Sequence, residues 1–284
     1  MTKQARRNGG VWLAAAAIGG LLLAERLWPK RVRTQPEPAR TLTNMALGVT
    51  SLAVIAAVQR PLALPLAARV VARRQGLAQQ LPGPVWARDL AAMLLLDWSN
   101  YHWHVATHRI GWLWRLHLVH HSDRDMDAST ALRFHVIDMG VSVALRLAQV
   151  RLLGASPRAL ALWEGMFFAS VLFHHADLEL PFDAPLALLV TTPGMHDIHH
   201  RADAASLDSN FSAGLSLWDR LHGTFADTAP AVPIGVPGVG VTGLVAALRL
   251  SAPADAGFTG SRTSPPMRPP SAPLPPSPSA HARD

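Results

Sequence analysis

The sequence predicts an all-α protein: a multi-pass transmembrane helical bundle with a helical, histidine-lined cap at the membrane surface. Three observations carry that expectation. Hydrophobic residues make up 49% of the 284 and charged residues only 16%, with a mean hydropathy of +0.17, a balance that points to a chain partly embedded in lipid. Apolar runs of helical length recur, punctuated by Pro, Gly and Arg. Histidines gather where those runs end: Asp97 to His121 (DWSNYHWHVATHRIGWLWRLHLVHH) carries six, and His196, His199 and His200 repeat its closing pattern.

Residues 1–10 are polar and basic (Lys3, Arg6, Arg7), and Val11 to Leu27 is apolar until Glu25 and Arg26. No small-x-small cleavage site precedes Glu25, so this run reads as a retained first transmembrane helix rather than a signal peptide. After a Pro- and Arg-containing connector, Lys30 to Arg40, the run Leu42 to Gln59 approaches the roughly 20 residues that span a bilayer. The two form an expected helical hairpin. Pro61 to Gln80 carries Arg69, Arg73 and Arg74 and reads as an interfacial helix or a loop between spans, which gives a first unit over 1–84. Val85 to Ile110 starts apolar and ends in histidines, so it is expected to leave the bilayer core carrying His104 and His108 toward water. Ser122 to Asp127 (SDRDMD) follows as a charged loop. Val141 to Leu153 and Ala159 to Phe173 are two further apolar helices split by Gly154 and Pro157. Pro193-Gly194 opens the last histidine helix, and the histidine-bearing unit spans 85–245. The remainder, 246–284, is Pro- and Ser-rich from Ser251 and is expected to be a disordered tail. Basic residues number three before the first run and four in the connector, so the positive-inside rule leaves the orientation open.

The spacing H-x-x-H-H occurs at His117, His120 and His121 and again at His196, His199 and His200. On a helix it sets the rings at i, i+3 and i+4, and all three are expected on one face; His104 and His108 are likewise one turn apart. With 14 histidines in the chain, chance would produce such a triplet roughly 0.03 times, so two copies indicate a built site. Imidazole suits zinc, copper, iron and nickel. Nine histidines are too many for one ion: His104, His108, His117, His120, His121, His175, His196, His199 and His200 would fill two adjacent sites with four or five nitrogens each, leaving a position open for chemistry. His175 could instead cap its helix, His135 and His174 stand as possible additional ligands, and His102, His222 and His281 read as incidental. Asp97, Asp177 and Asp197 are candidates to orient ring N–H groups or, beside a helix end, to serve only as caps, and Trp98, Trp103, Trp112 and Trp114 are expected to form a membrane-interface belt.

There is no cysteine, which excludes disulfides, iron–sulfur clusters, thiolate metal sites and cysteine nucleophiles. H-E-x-x-H, Glu-x-x-His, P-loop and GxSxG patterns are also missing. The net charge of +7 rests on arginines that flank apolar segments, which suits juxtamembrane anchoring and not nucleic acid. Residues alone leave three functions open: a redox enzyme, a membrane metal-binding or transport protein, and a zinc-dependent hydrolase lacking an obvious glutamate base.

The motifs together resemble the fatty acid hydroxylase and sterol desaturase superfamily of membrane oxygenases. DWSNYHWHVATHR (97–109), LWRLHLVHHSDRDMDASTALRFH (113–135), FHHADLELP (173–181) and TPGMHDIHH (192–200) fall in that family's order, and Asn210-Phe211 with LWDRLHGTF (217–225) match its closing segment. The resemblance implies a helical membrane domain over 85–245 with a cytoplasmic-side di-iron centre, the nine histidines being the iron ligands. It implies O₂ as co-substrate, a lipid (sterol-like, fatty acyl or related) hydroxylated or desaturated at a C–H bond, and electrons from a separate cytochrome- or ferredoxin-type donor.

Overall fold

The computed structural model describes residues 3–229, 231–239 and 243–249; the expected Pro- and Ser-rich tail lies, from 250 on, outside the described residues. Helix α1 (Lys3–Leu27) leads into the connector. Helix α2 (Glu37–Val54), a π turn (Ile55–Gln59) and α3 (Arg60–Ala72) then run on without a break, and α4 (Leu77–Gln80) turns the chain. Helices α5 (Val85–Arg109) and α6 (Gly111–His121) follow, then a 3₁₀ turn (Ala128–Leu132). Next come α7 (Val136–Gln149) with a second π turn (Val150–Gly154), and α8 (Pro157–His175). Five short helices close the fold: α9 (Asp183–Leu186), α10 (Pro193–His199), α11 (Ala204–Leu207), α12 (Leu217–His222) and α13 (Leu244–Leu248). Among the described residues there are only isolated β-bridges and no strands.

Local sequence accounts for the boundaries. Ser156 accepts the Ala159 N–H ahead of Pro157, and Thr192 accepts the Met195 N–H ahead of Pro193, so two helices start on a side-chain cap with proline in the first turn. The segment after Pro61 differs from its expectation. It continues α2 because the π turn just before it relaxes the i→i−4 ladder and places Pro61 in the first turn of α3, where no N–H is needed. By length and composition, one helix among the described residues could cross a membrane, the run Glu37–Gln80; the multi-pass expectation is therefore met in helix content but not by the hydropathy of each helix.

Two ends define the bundle. At one, Gly76 and Gly154, both at positive φ, let α4 pack directly on the second π turn, and a Cβ on Gly76 would collide with the Gly154 backbone. A core of Ala63, Ala67, Val70, Ala92, Leu96 and Leu160 with its neighbours lies above that contact. At the other end α1, α5 and α8 finish and α2 and α7 begin. Glu25, buried near the end of α1, accepts the Ala128 and Asp177 N–H groups there. That end carries the histidines.

Candidate metal centre

All nine sequence-predicted histidines converge, although they come from four helices. His104, His108, His117 and His121 form one group and His120, His175, His196 and His200 a second, with the potential ligand atoms of each group within 4.8 Å of one another. His199 sides with the first group: its ring centroid is 4.6 Å from His104, 4.7 Å from His108 and 4.9 Å from His121. The groups abut, since His121 stacks on His200 at 4.3 Å.

Each H-x-x-H-H triplet straddles both groups, contrary to the expectation of a single face. At 3.6 residues per turn, the i+4 ring lies about 40° to one side of the first and the i+3 ring about 60° to the other. His117 and His121 therefore point into one group while His120 points into the next, and His196 and His200 share a group that His199 leaves. The spacing is a device for joining two centres.

The rings suit metal ions. A carbonyl oxygen only accepts, so the Nδ1 atoms of His104, His175 and His199 must donate to Phe211 O (2.7 Å), Val171 O (2.7 Å) and Ser209 O (2.6 Å). Each Nε2 is left with its lone pair facing inward. In the second group His175 Nε2 lies 3.1 Å from His120 Nε2 and 3.0 Å from His196 Nε2, and His200 Nε2 lies 3.1 Å from His196 Nε2. Nitrogens bound at right angles about 2.1 Å from one ion would be about 3.0 Å apart. In the first group Nε2 of His104, His108 and His199 and both nitrogens of His117 and His121 are buried without a hydrogen-bond partner, a state that costs about 1–3 kcal/mol per group if nothing takes the lone pair. Burial, reinforced by the neighbouring rings, pushes His120, His121, His196 and His200 well below the ordinary imidazole range. It takes His199 down to about 3. These rings are neutral, the form that ligates transition metals.

Aromatic side chains wall the cage. Phe134 stacks on His120 at 4.9 Å, Phe211 packs within 5.2–5.6 Å of His108, His199 and His104, and Trp114 lies 5.1 Å from His108. Trp114 is thus part of the cage wall as well as of the tryptophan-rich stretch. Asn210 takes the left-handed conformation that asparagine tolerates, with its side chain tied to Met195 O, Ala226 O and Ala226 N. On either side of it the Ser209 and Phe211 carbonyls reach His199 and His104. No pattern of ionisable residues would have revealed this pair of carbonyls; Asn210-Phe211 was legible only as part of the family's closing segment.

Three aspartates expected to hold ring N–H groups do other work. Asp97 accepts Leu215 N and Trp218 Nε1, Asp177 accepts Arg31, and Asp197 pairs with Arg31 and Arg201. Carboxylates this close to arginine or backbone donors are occupied before an imidazole can reach them. Asp138, which the sequence reading passed over, is the acid nearest a cage ring, with Oδ2 3.9 Å from His117 Nδ1. His135 caps α7: its Nδ1 accepts Ile137 N–H and its Nε2 donates to Leu248 O, so neither nitrogen is free for a metal. His174 packs on His196 at 4.1 Å but belongs to neither group, and His102 and His222 pack on each other at 4.7 Å away from the cage.

The expected charged loop, SDRDMD, is largely buried. Asp123 is 0% and Asp127 2% exposed. Arg40 donates to Asp123 through Nε (2.8 Å) and Nη2 (3.0 Å), to Asp127 through Nη1 (2.7 Å) and to Thr130 (3.1 Å). Asp125 accepts the Thr34 and Gln35 N–H groups, and Arg133 reaches Asn44, Ser122 and Val119 O. The connector between α1 and α2 is thus pinned across the histidine end of the bundle.

The sequence model described as fatty acid hydroxylase matches residues 90–224, which contains every histidine of both groups. Ornithine lipid hydroxylase of Rhizobium tropici is 29% identical over 242 residues, 83% of this chain and 71% of that protein. Alkylglycerol monooxygenase of Danio rerio is 32% identical over 152 residues, 51% of this chain and 32% of the relative. The cholesterol 25-hydroxylase-like protein of Danio rerio is 30% identical over 149 residues, covering 49% and 55% of the two chains. The chain thus spans about a third of the length of the alkylglycerol monooxygenase it matches. No solved structure matches it.

Proposed function

Because the chain belongs to the fatty acid hydroxylase superfamily, we propose that it is a membrane oxygenase that hydroxylates a C–H bond of a lipid at a histidine-held di-iron centre. The observation that carries this reading is the pair of abutting imidazole groups, in which carbonyls on the outside turn the lone pairs of His104, His175 and His199 inward. His104, His108, His117, His121 and His199 would hold one ion and His120, His175, His196 and His200 the other. Two bound irons would supply the chemistry by which O₂, two electrons from a separate donor protein and two protons turn C–H into C–OH and water. Imidazole is a suitable ligand for it, since it resists the oxidation that destroys thiolates. Phe134, Phe211 and Trp114 keep bulk water from the cage. Hydroxylation is favoured over desaturation because the named relatives are hydroxylases or monooxygenases.

The membrane arrangement belongs to the same proposal. At 1.5 Å per residue, α5 is about 37 Å long, and α7 with its π turn and α8 are each about 28 Å, close to the roughly 30 Å of a hydrocarbon core. Leu90, Leu94, Leu152, Leu162, Met166 and Phe168 on these segments are exposed, as lipid-facing side chains would be. Lys30, Arg31, Arg33 and Arg40 sit at the histidine end, and the cytoplasmic position of the centre is part of the same proposal, taken from the family resemblance. A lipid held in the bilayer would then meet the centre where the helices end.

The test is the purified chain in lipid. Two iron ions per chain, O₂ uptake that needs both lipid and reductant, and a product heavier by one oxygen atom are expected, the uptake and the product being lost in His120→Ala. Reversible metal binding without O₂ uptake would replace the proposal with a metal carrier, and lipid turnover without O₂ with a hydrolase.

A further inference from the structure

A cavity of about 400 Å³ lies between α6, the start of α7 and α13, outside the histidine cage. Its apolar wall is Trp112, Leu116, Ile137 and Leu248, and its charged wall is Arg115 and Arg249. Among the described residues no carboxylate lines it and neither guanidinium makes an ion pair or a side-chain hydrogen bond. The one other polar lining group, His135, has both nitrogens engaged by Ile137 N and Leu248 O. Trp112 and Ile137 are more than half exposed, so the cavity opens at the surface.

Two arginines that meet no carboxylate among the described residues, set over an apolar floor, have one natural complement. A guanidinium forms paired, charge-assisted bonds with phosphate or carboxylate oxygens, while an indole and three aliphatic side chains favour the glycerol and first methylenes of a lipid. A free anion would leave that floor unmatched. We propose that this cavity binds the headgroup of an anionic lipid, Arg115 and Arg249 holding its phosphate or carboxylate. The cavity also borders the cage: Leu116 precedes His117, and Phe134, which precedes His135, stacks on His120. The site stands apart from the oxygenase reading, because it needs no metal.

The experiment uses the full chain in nanodiscs of phosphatidylcholine with a minor share of phosphatidylglycerol, extracted gently and weighed with its retained lipid by native mass spectrometry. Wild type is expected to retain phosphatidylglycerol preferentially. Near a membrane surface each arginine contributes enough that R115Q/R249Q should lower that preference about 30-fold, while R115K/R249K keeps most of it. Circular dichroism equal to wild type would show that the glutamine variant folds, as expected for two surface residues. His120→Ala should retain phosphatidylglycerol like wild type, so loss of oxygenase activity and loss of lipid leave different signatures. Equal retention in wild type and R115Q/R249Q would overturn the proposal. So would displacement of the lipid by millimolar inorganic phosphate, which would make this a free-anion site.

Discussion

Replacing Arg40 by alanine should undo the histidine end of the fold without touching a histidine. Arg40 is 3% exposed and is shared by Asp123 and Asp127, both buried, and by Thr130. Its removal strands two carboxylates in a place water cannot reach, and breaking a buried ion pair from one side costs about 3–5 kcal/mol. For a domain of this size, about 2–4 °C per kcal/mol translates this into a fall in melting temperature of roughly 6–20 °C. Tryptophan fluorescence of the detergent-solubilised, metal-free chain reads it directly. Arg40→Lys keeps the charge but not the fork and should fall between the two. The pH dependence adds a second check. Burial alone would raise the Asp123 carboxyl, but the Arg40 and Arg133 charges and hydrogen bonds hold it below its ordinary value. A depressed folded pKa means that the stabilisation is complete above the unfolded value near ~3.9 and is lost as pH falls through the folded one. The gap between wild type and Arg40→Ala should therefore narrow below about pH 4. A variant within about 1 kcal/mol of wild type at pH 7, or a gap that widens in acid, would refute the argument.

Other outcomes follow from the geometry. His104→Ala and His196→Ala strike different groups, so each should lower bound iron from two ions per chain toward one, measured by elemental analysis; loss of both ions from either variant would mean that the groups load as one unit. His135→Ala should leave the metal content unchanged while removing the α7 cap, at a cost of about 0.5–2 kcal/mol in thermal unfolding; a drop in bound iron would return His135 to the ligand set. Gly76→Ala forces a side chain into the Gly154 backbone at a positive φ and should destabilise by at least about 1–2 kcal/mol, with wild-type melting behaviour as the contrary result.

Periodicity and residue chemistry reveal a great deal here. The helices around Val85–Ile110 and Ala159–Phe173, their breaks at Gly154 and Pro157, and all nine converging histidines are readable along the chain. Each of these depends on local spacing: 3.6 residues per turn, proline at a helix start, imidazole in a repeated interval. The partition of the histidines was not readable, because the 100° fan of an H-x-x-H-H triplet becomes two separate groups only when a second helix faces it. The burial of the acidic loop was not readable for a similar reason. SDRDMD has the composition of a solvated turn, and only Arg40 and the Thr34-Gln35 backbone, more than 80 residues earlier, bury it.

What the linear chain determines by itself is the inventory: helix formers, apolar length, imidazoles without thiols, and an order of motifs that places it in a family. Tertiary structure decides which lone pairs face inward, since that depends on the carbonyls of Val171, Ser209 and Phe211, groups every residue carries and no composition distinguishes. It also decides where charges are placed: Arg40 finds carboxylates within the fold, while Arg115 and Arg249 line a cavity. Side-chain identity sets what chemistry is available, and the path of the backbone sets where that chemistry can meet.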